Sequence, residues 1–251
     1  MNLFSEDEIE NYLIAVYSGL IAVDQLSIDY HLKVGGKLYE AIEKGFGKAE
    51  PFTIYAQTFD KLTSNIYAFS AAKQYQQVRI MSRYINKVNE RASYSEFKKL
   101  AKATFDEFND SYLETEFNTA VGQSQTARDW LQFEEDKDIF PYLQYNTQED
   151  VLVRDSHSVL NGIIKRVDDP FWNTYNPLNG WNCRCFVTQL DEGVETNTDN
   201  LVIDKKDFPE LFQFNSGKQK LIFDPKQHPY FKVGRGHAGL RANNFNLPVP
   251  Q

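Results

Sequence analysis

Between Arg154 and Cys185 the chain collects the residue types that hold metals and move protons: His157, Asp168, Asp169, Cys183 and Cys185. The two cysteines, the only ones in the sequence, are separated by Arg184 alone. Thiolates so spaced can reach one tetrahedral zinc ion, with His157 as a third ligand and His228 or an aspartate as a fourth. The same residues also suit a tight loop with buried neutral thiols beside Trp181, and the spacing does not choose between the two. A disulfide closing so short a loop would be strained, and the reducing cytoplasm expected for this chain would not maintain it.

His157 with Asp168 and Asp169 reads as a general base beside metal-binding carboxylates, the core of a metal-dependent hydrolase. The rest of such a site is missing from the sequence. There is no nucleophile elbow, no H-E-x-x-H, no Walker loop and no G-x-G-x-x-G. Asp168-Asp169-Pro170 more simply starts a turn, the aspartates accepting backbone N–H bonds while proline fixes φ. No catalytic residue is assigned on these grounds. Arg184 offers a guanidinium that could pair with Asp168 or Asp169 inside a loop-rich core; Arg154 and Arg184 could equally be surface arginines. Phe171, Trp172 and Trp181 are expected to anchor the loops through ring burial.

These residues need a framework, and the sequence suggests one that is helical first and mixed later. Ser5 with Glu8, Ser93 with Glu96 and Ser111 with Glu114 fit the S-x-x-E capping box and predict three helix starts. Phe97, Leu100, Ala101, Phe105 and Phe108 form one apolar stripe, and Leu113, Phe117, Ala120, Ser124, Ala127 and Leu131 another. Glu8 to Asp24, Gly35 to Gly45 and Tyr55 to Val88 are helix-like, with breaks expected at Gly35-Gly36 and from Gly45 through Pro51. Beyond Pro141, Tyr142 to Tyr145, Val151 to Val153, Ile163 to Val167 and Cys185 to Leu190 are short β-prone runs. The turn signals Asn161-Gly162, Asp169-Pro170 and Asn179-Gly180 punctuate them. The expected class is α+β, with a helical domain at 1–138 and a compact mixed strand and loop module at 139–251. The polar, Asn- and Pro-rich end is expected to be mobile or draped on a partner.

A hydrophobic fraction of 41%, with 19 Phe and 14 Tyr, is enough for a bulky packed core. No apolar run approaches the roughly 20 residues that cross a bilayer, and the start lacks the pattern of a secretory signal. A net charge of −8 repels DNA phosphate, so any DNA contact would be local and weak, for which Lys218 to Arg241 is the basic segment available.

The ordered set R-x-x-H-x-x-L-x-G from Arg154 through His157 to Gly162, D-D-P-F-W from Asp168 to Trp172, and N-G-W-N-C-R-C through Trp181, Asn182, Cys183, Arg184 and Cys185 resembles the signature of the phage Mu F-like minor head proteins, the phage head morphogenesis family. Tyr30 through Gly47 and Asn65 to Lys73 resemble the version carried by prophages of Bacteroidetes-type bacteria, and Phe223 through Phe231 resembles that family's usual ending. The resemblance implies a structural protein of the virion or procapsid, made in the bacterial host cytoplasm and associated with the portal or inner capsid proteins. It implies no reaction. Two rival readings remain: a zinc-stabilised, DNA-contacting head protein that assists packaging or ejection, and a phage-encoded metal-dependent hydrolase.

Overall fold

The computed structural model describes residues 3–87, 90–198, 201 and 203–250. Long helices dominate the first part: α1 (Glu6–Ser18), α2 (Ile28–Phe46), α3 (Ile54–Ile85), α4 (Tyr94–Asp106) and α5 (Leu113–Asp136). A two-residue pair of strands, β1 (Asn86–Lys87) and β2 (Glu90–Arg91), links α3 to α4. Val88, the expected end of the third helical stretch, lies outside the described residues. After Asp136 come β3 (Tyr142–Asn146), β4 (Ile164–Arg166) and β5 (Phe186–Leu190), with the short helices α6 (Asp155–Ser158), α7 (Trp172–Tyr175), α8 (Ser216–Gln219) and α9 (Ala238–Ala242). The fold is α+β. None of its described helices is long and apolar enough to cross a membrane.

Two of the three capping boxes are formed: Ser5 and Ser93 each accept from the N3 amide, and Glu8 and Glu96 return the bond to the cap amide. The third is not a helix start. A π-helical segment, Glu107–Tyr112, carries α4 into α5 and contains Ser111. The cause is the buried Asn109, whose Nδ2 donates to the Phe105 carbonyl at 2.8 Å, while its Oδ1 accepts from Tyr30 at 2.7 Å. Its side chain thus occupies a carbonyl that a regular helix gives to the amide four residues on.

Gly35-Gly36 is also no break, since α2 runs through it. A Cβ at Gly35 would stand 2.4 Å from the Tyr67 ring, so glycine here serves a close helix approach. The expected end at Gly47 is real, with φ +72°.

The chain forms two compact units, each drawing residues from both sides of the 138/139 division. The first comprises Met1–Tyr39, Ser64–Phe117 and His228–Gln251. Its core holds Leu13, Val34, Leu38, Phe69, Val78, Phe97, Ala101, Phe105 and Phe108, all buried; of the stripe that begins at Phe97, Leu100 alone is exposed. The C-terminal segment belongs to this core and is held there by hydrogen bonds. Gln76 Nε2 donates to the Tyr230 and Lys232 carbonyls at 2.9 and 2.8 Å, Tyr75 bonds His237 at 2.6 Å, and His31 bonds the Pro248 carbonyl at 2.7 Å. Phe245 and Leu247 are buried, so two apolar anchors fasten a stretch that composition alone marks as polar.

The second unit comprises Glu40–Thr63 and Asn118–Gln227. Its antiparallel sheet has the order β4-β3-β5, with Leu143 opposite Lys165 on one side and Gln189 on the other. Leu143 and Tyr145 of β3 point inward by the period-two rule and join Trp130, Leu160, Ile163, Val167, Trp172, Leu178 and Phe208 in one core. Val151 to Val153 is not a strand. Asp150 Oδ1 accepts from the Leu152 amide at 3.0 Å, an aspartate turn that leaves Val151 fully exposed.

Candidate functional site

His157 sits in the single turn α6, which begins at Arg154 in extended conformation. Its ring stacks on Phe208 at 5.5 Å between centroids with planes 15° apart, which fixes the imidazole orientation. After α6 the chain reverses at Gly162, whose φ of +79° glycine adopts without strain, and the Gly162 amide donates to the Tyr145 carbonyl at 2.8 Å. The signature glycine thereby ties α6 to the central strand.

The cysteines arrive from the other side on a loop that enters β5. The Cys183 amide donates to the Gly180 carbonyl at 3.1 Å, and Asn182 takes the left-handed conformation at φ +56°, one that asparagine tolerates well. Cys183 and Cys185 face inward, and the intervening Arg184 faces outward, as alternation along an extended chain requires. The result is a compact buried group. Both sulfurs approach the same imidazole nitrogen, Cys183 Sγ at 3.5 Å and Cys185 Sγ at 3.6 Å from His157 Nδ1. All three ligand-type atoms lie within 4.8 Å of one another. Interaction with Cys185 and then with His157 lowers the pKa of Cys183, whereas Cys183 and burial together raise that of Cys185. A cavity of about 470 Å³ adjoins the group, lined by both cysteines together with Asn176, Leu178 and Asp129.

Several expected partners are elsewhere. His228 belongs to the first unit, where its ring packs against Phe69 at 4.9 Å and Tyr230 at 4.7 Å. Arg184 does not pair with Asp168 or Asp169. Because it points away from the core, it meets the exposed turn and forms a two-pronged ion pair with Asp150 at 2.7 and 2.8 Å. Asp168 instead bonds Arg166 at 3.3 Å on the exposed side of β4, and Asp169 Oδ1 accepts from the Phe171 amide at 2.7 Å. These carboxylates therefore shape the D-D-P turn and do not converge on His157. Trp172 is fully buried, with its Nε1 donating to the Arg166 carbonyl at 2.9 Å and Phe171 edge-on at 5.0 Å. Trp181 is only half-buried and packs perpendicular to Phe212 at 4.9 Å.

Arg154 is exposed, as a surface arginine would be, and its Nη2 donates to the Trp181 carbonyl at 2.7 Å. A Cβ at Gly180 would lie 3.4 Å from Arg154 Nη1, an ordinary contact, so that guanidinium packs beside the signature glycine. Asn179, read from the sequence only as half of an Asn-Gly turn, is fully buried and holds the loop together. Its Nδ2 donates to the carbonyls of Thr174 and Asn176, each at 3.1 Å, and its Oδ1 accepts from Tyr145 at 3.3 Å. A polar residue in a turn dipeptide gives no sequence signal of such burial.

The family described as Phage Mu protein F like protein matches residues 33–188, a span that includes the whole signature from Arg154 to Cys185. A protein named putative capsid assembly protein F from Escherichia phage Mu is 37% identical over 78 residues, covering 31% of this chain and 18% of that protein. The Mu-like prophage FluMu F protein of Haemophilus influenzae is 44% identical over 66 residues, covering 26% of this chain and 16% of the relative. Each alignment thus spans less than a fifth of the relative's length. No solved structure matches the chain. Because the family match covers well over half of the sequence and carries the ordered signature, this chain belongs to the Phage Mu F-like family.

Proposed function

We propose that the chain is a structural protein of a phage head, made in the host cytoplasm, built into the procapsid and virion, and docked to the portal or inner capsid proteins without turning over a substrate. The observation that carries this reading is the family membership across residues 33–188, joined to a relative whose name denotes capsid assembly. Burial narrows the docking residues. Phe208, Phe212, Phe214, Phe223 and Phe231 are all core. Docking energy must come from apolar side chains that remain exposed, such as Val151, Leu152 and Ile139 of the second unit.

The test is removal of the chain from the phage that encodes it, followed by electron microscopy and infectivity of the particles. Loss of normal heads or of infectious particles, restored by supplying the chain, supports the proposal. Normal yield of infectious heads in its absence contradicts it.

A further inference from the structure

We propose that His157, Cys183 and Cys185 bind one zinc ion, through His157 Nδ1 and the two thiolates, and that this ion pins α6 to the start of β5. The geometry is quantitative. With Zn–S near 2.3 Å and Zn–N near 2.05 Å, a tetrahedral ion holds its nitrogen and sulfur ligands about 3.6 Å apart. The observed separations are 3.5 and 3.6 Å, both measured to the same ring nitrogen. Two sulfurs converging on one ring nitrogen at these distances fit the ligation of one cation by all three atoms.

The surroundings agree with this assignment. All three side chains are buried, and the imidazole plane is fixed by the stack on Phe208. Two soft sulfurs and one imidazole select zinc over the oxygen-preferring cations. Both cysteines also line a cavity, from which a solvent oxygen would complete the coordination of a bound ion. Binding releases the thiol protons to solvent, so the two thiolates neutralise the dication and the buried group carries no net charge. The site joins segments that are 26 and 28 residues apart in sequence and have little regular structure between them. The proposal does not depend on the role in head assembly, and either can fail alone.

The full-length protein, produced in zinc-supplemented medium and purified without a histidine tag or chelator, is analysed for metal content. About one zinc per chain is expected, falling at least tenfold in Cys183→Ser/Cys185→Ser and unchanged in Arg184→Ala, which alters only the outward residue between the ligands. Since ligand variants can fail to fold, the second measurement uses the unmutated chain: zinc is extracted and Co²⁺ is added alone. A sulfur-to-cobalt charge-transfer band with tetrahedral ligand-field absorption supports the site. Folded protein that shows no such band, with both thiols titrating freely in the presence of Co²⁺, overturns it whatever its zinc content.

Discussion

Lys73 and Glu116 form an ion pair sealed from solvent, the ammonium on α3 donating to the carboxylate on α5 with both side chains essentially fully buried. Tyr230 from the C-terminal segment donates to the other carboxylate oxygen at 3.0 Å. Burial lowers the lysine pKa and raises that of the glutamate, while their mutual attraction opposes both shifts. Removing one partner leaves an uncompensated buried charge, so Lys73→Met or Glu116→Leu is expected to cost about 3–5 kcal/mol, and the double variant far less than the sum. Urea unfolding of the four proteins in a double-mutant cycle measures this. Additive losses would mean that the two groups do not depend on each other.

His228 should make stability depend on pH. Burial, and then the neighbouring Lys73 charge, depress its pKa from the ordinary 6.5 to about 3. Its Nδ1 accepts from the Tyr230 amide at 3.2 Å, a bond that protonation there would break. The unfolded chain therefore takes up a proton near pH 6.5 that the folded chain refuses until about pH 3. Its stabilising contribution is complete above pH 6.5 and is lost as pH falls through that window, with a slope of up to about 1.4 kcal/mol per pH unit. His228→Asn keeps a side-chain acceptor and should flatten this slope when unfolding midpoints are compared from pH 7 to pH 4. An unchanged slope would remove His228 as its source.

Two glycines of α2 should respond oppositely to alanine. A Cβ at Gly45 would stand 2.0 Å from the Val121 carbonyl oxygen, a backbone atom with little freedom to move, whereas one at Gly36 meets nothing within 4 Å. Gly45→Ala is expected to destabilise by about 1–3 kcal/mol and Gly36→Ala to stabilise by about 0.5–1 kcal/mol. Thermal unfolding of both variants checks the pair. A stabilised Gly45→Ala would contradict the close packing at Gly45, and a destabilised Gly36→Ala the open space at Gly36.

The Asp150–Arg184 pair should matter little to stability despite its good geometry. Both side chains are 40% or more exposed. Arg184→Ala should therefore change unfolding free energy by at most about 1 kcal/mol, and less at high salt. A larger loss would show that the arginine does more than close the exposed turn.

How much of this was legible in the sequence depended on whether a residue's role was local. The boxes at Ser5 and Ser93 were readable because a cap is completed within four residues. Ser111 fits the same pattern but lies inside a π segment, because the distant Tyr30 bonds Asn109 and stabilises a bulge that no local pattern encodes. Gly35 reads as a breaker until Tyr67 is seen against it. At the site, the ordered motifs name His157, Cys183 and Cys185 together, and their ligand-type atoms lie within 4.8 Å of one another. They could not show that Asp150 takes the Arg184 guanidinium, that His228 folds into the other unit, or that Asn179 is the buried knot of the loop. Each of those depends on which way a side chain points after the chain has turned, and only the folded structure decides it.

The claim that this chain is a head component is tested most directly by quantitative mass spectrometry of purified procapsids and virions from the phage that encodes it. The account predicts that the chain is present in both at a fixed ratio to portal protein, and that substituting Val151 and Leu152 by Asp reduces its incorporation while the purified variant remains folded. Absence of the chain from both particles while it accumulates in the infected cell would contradict the account.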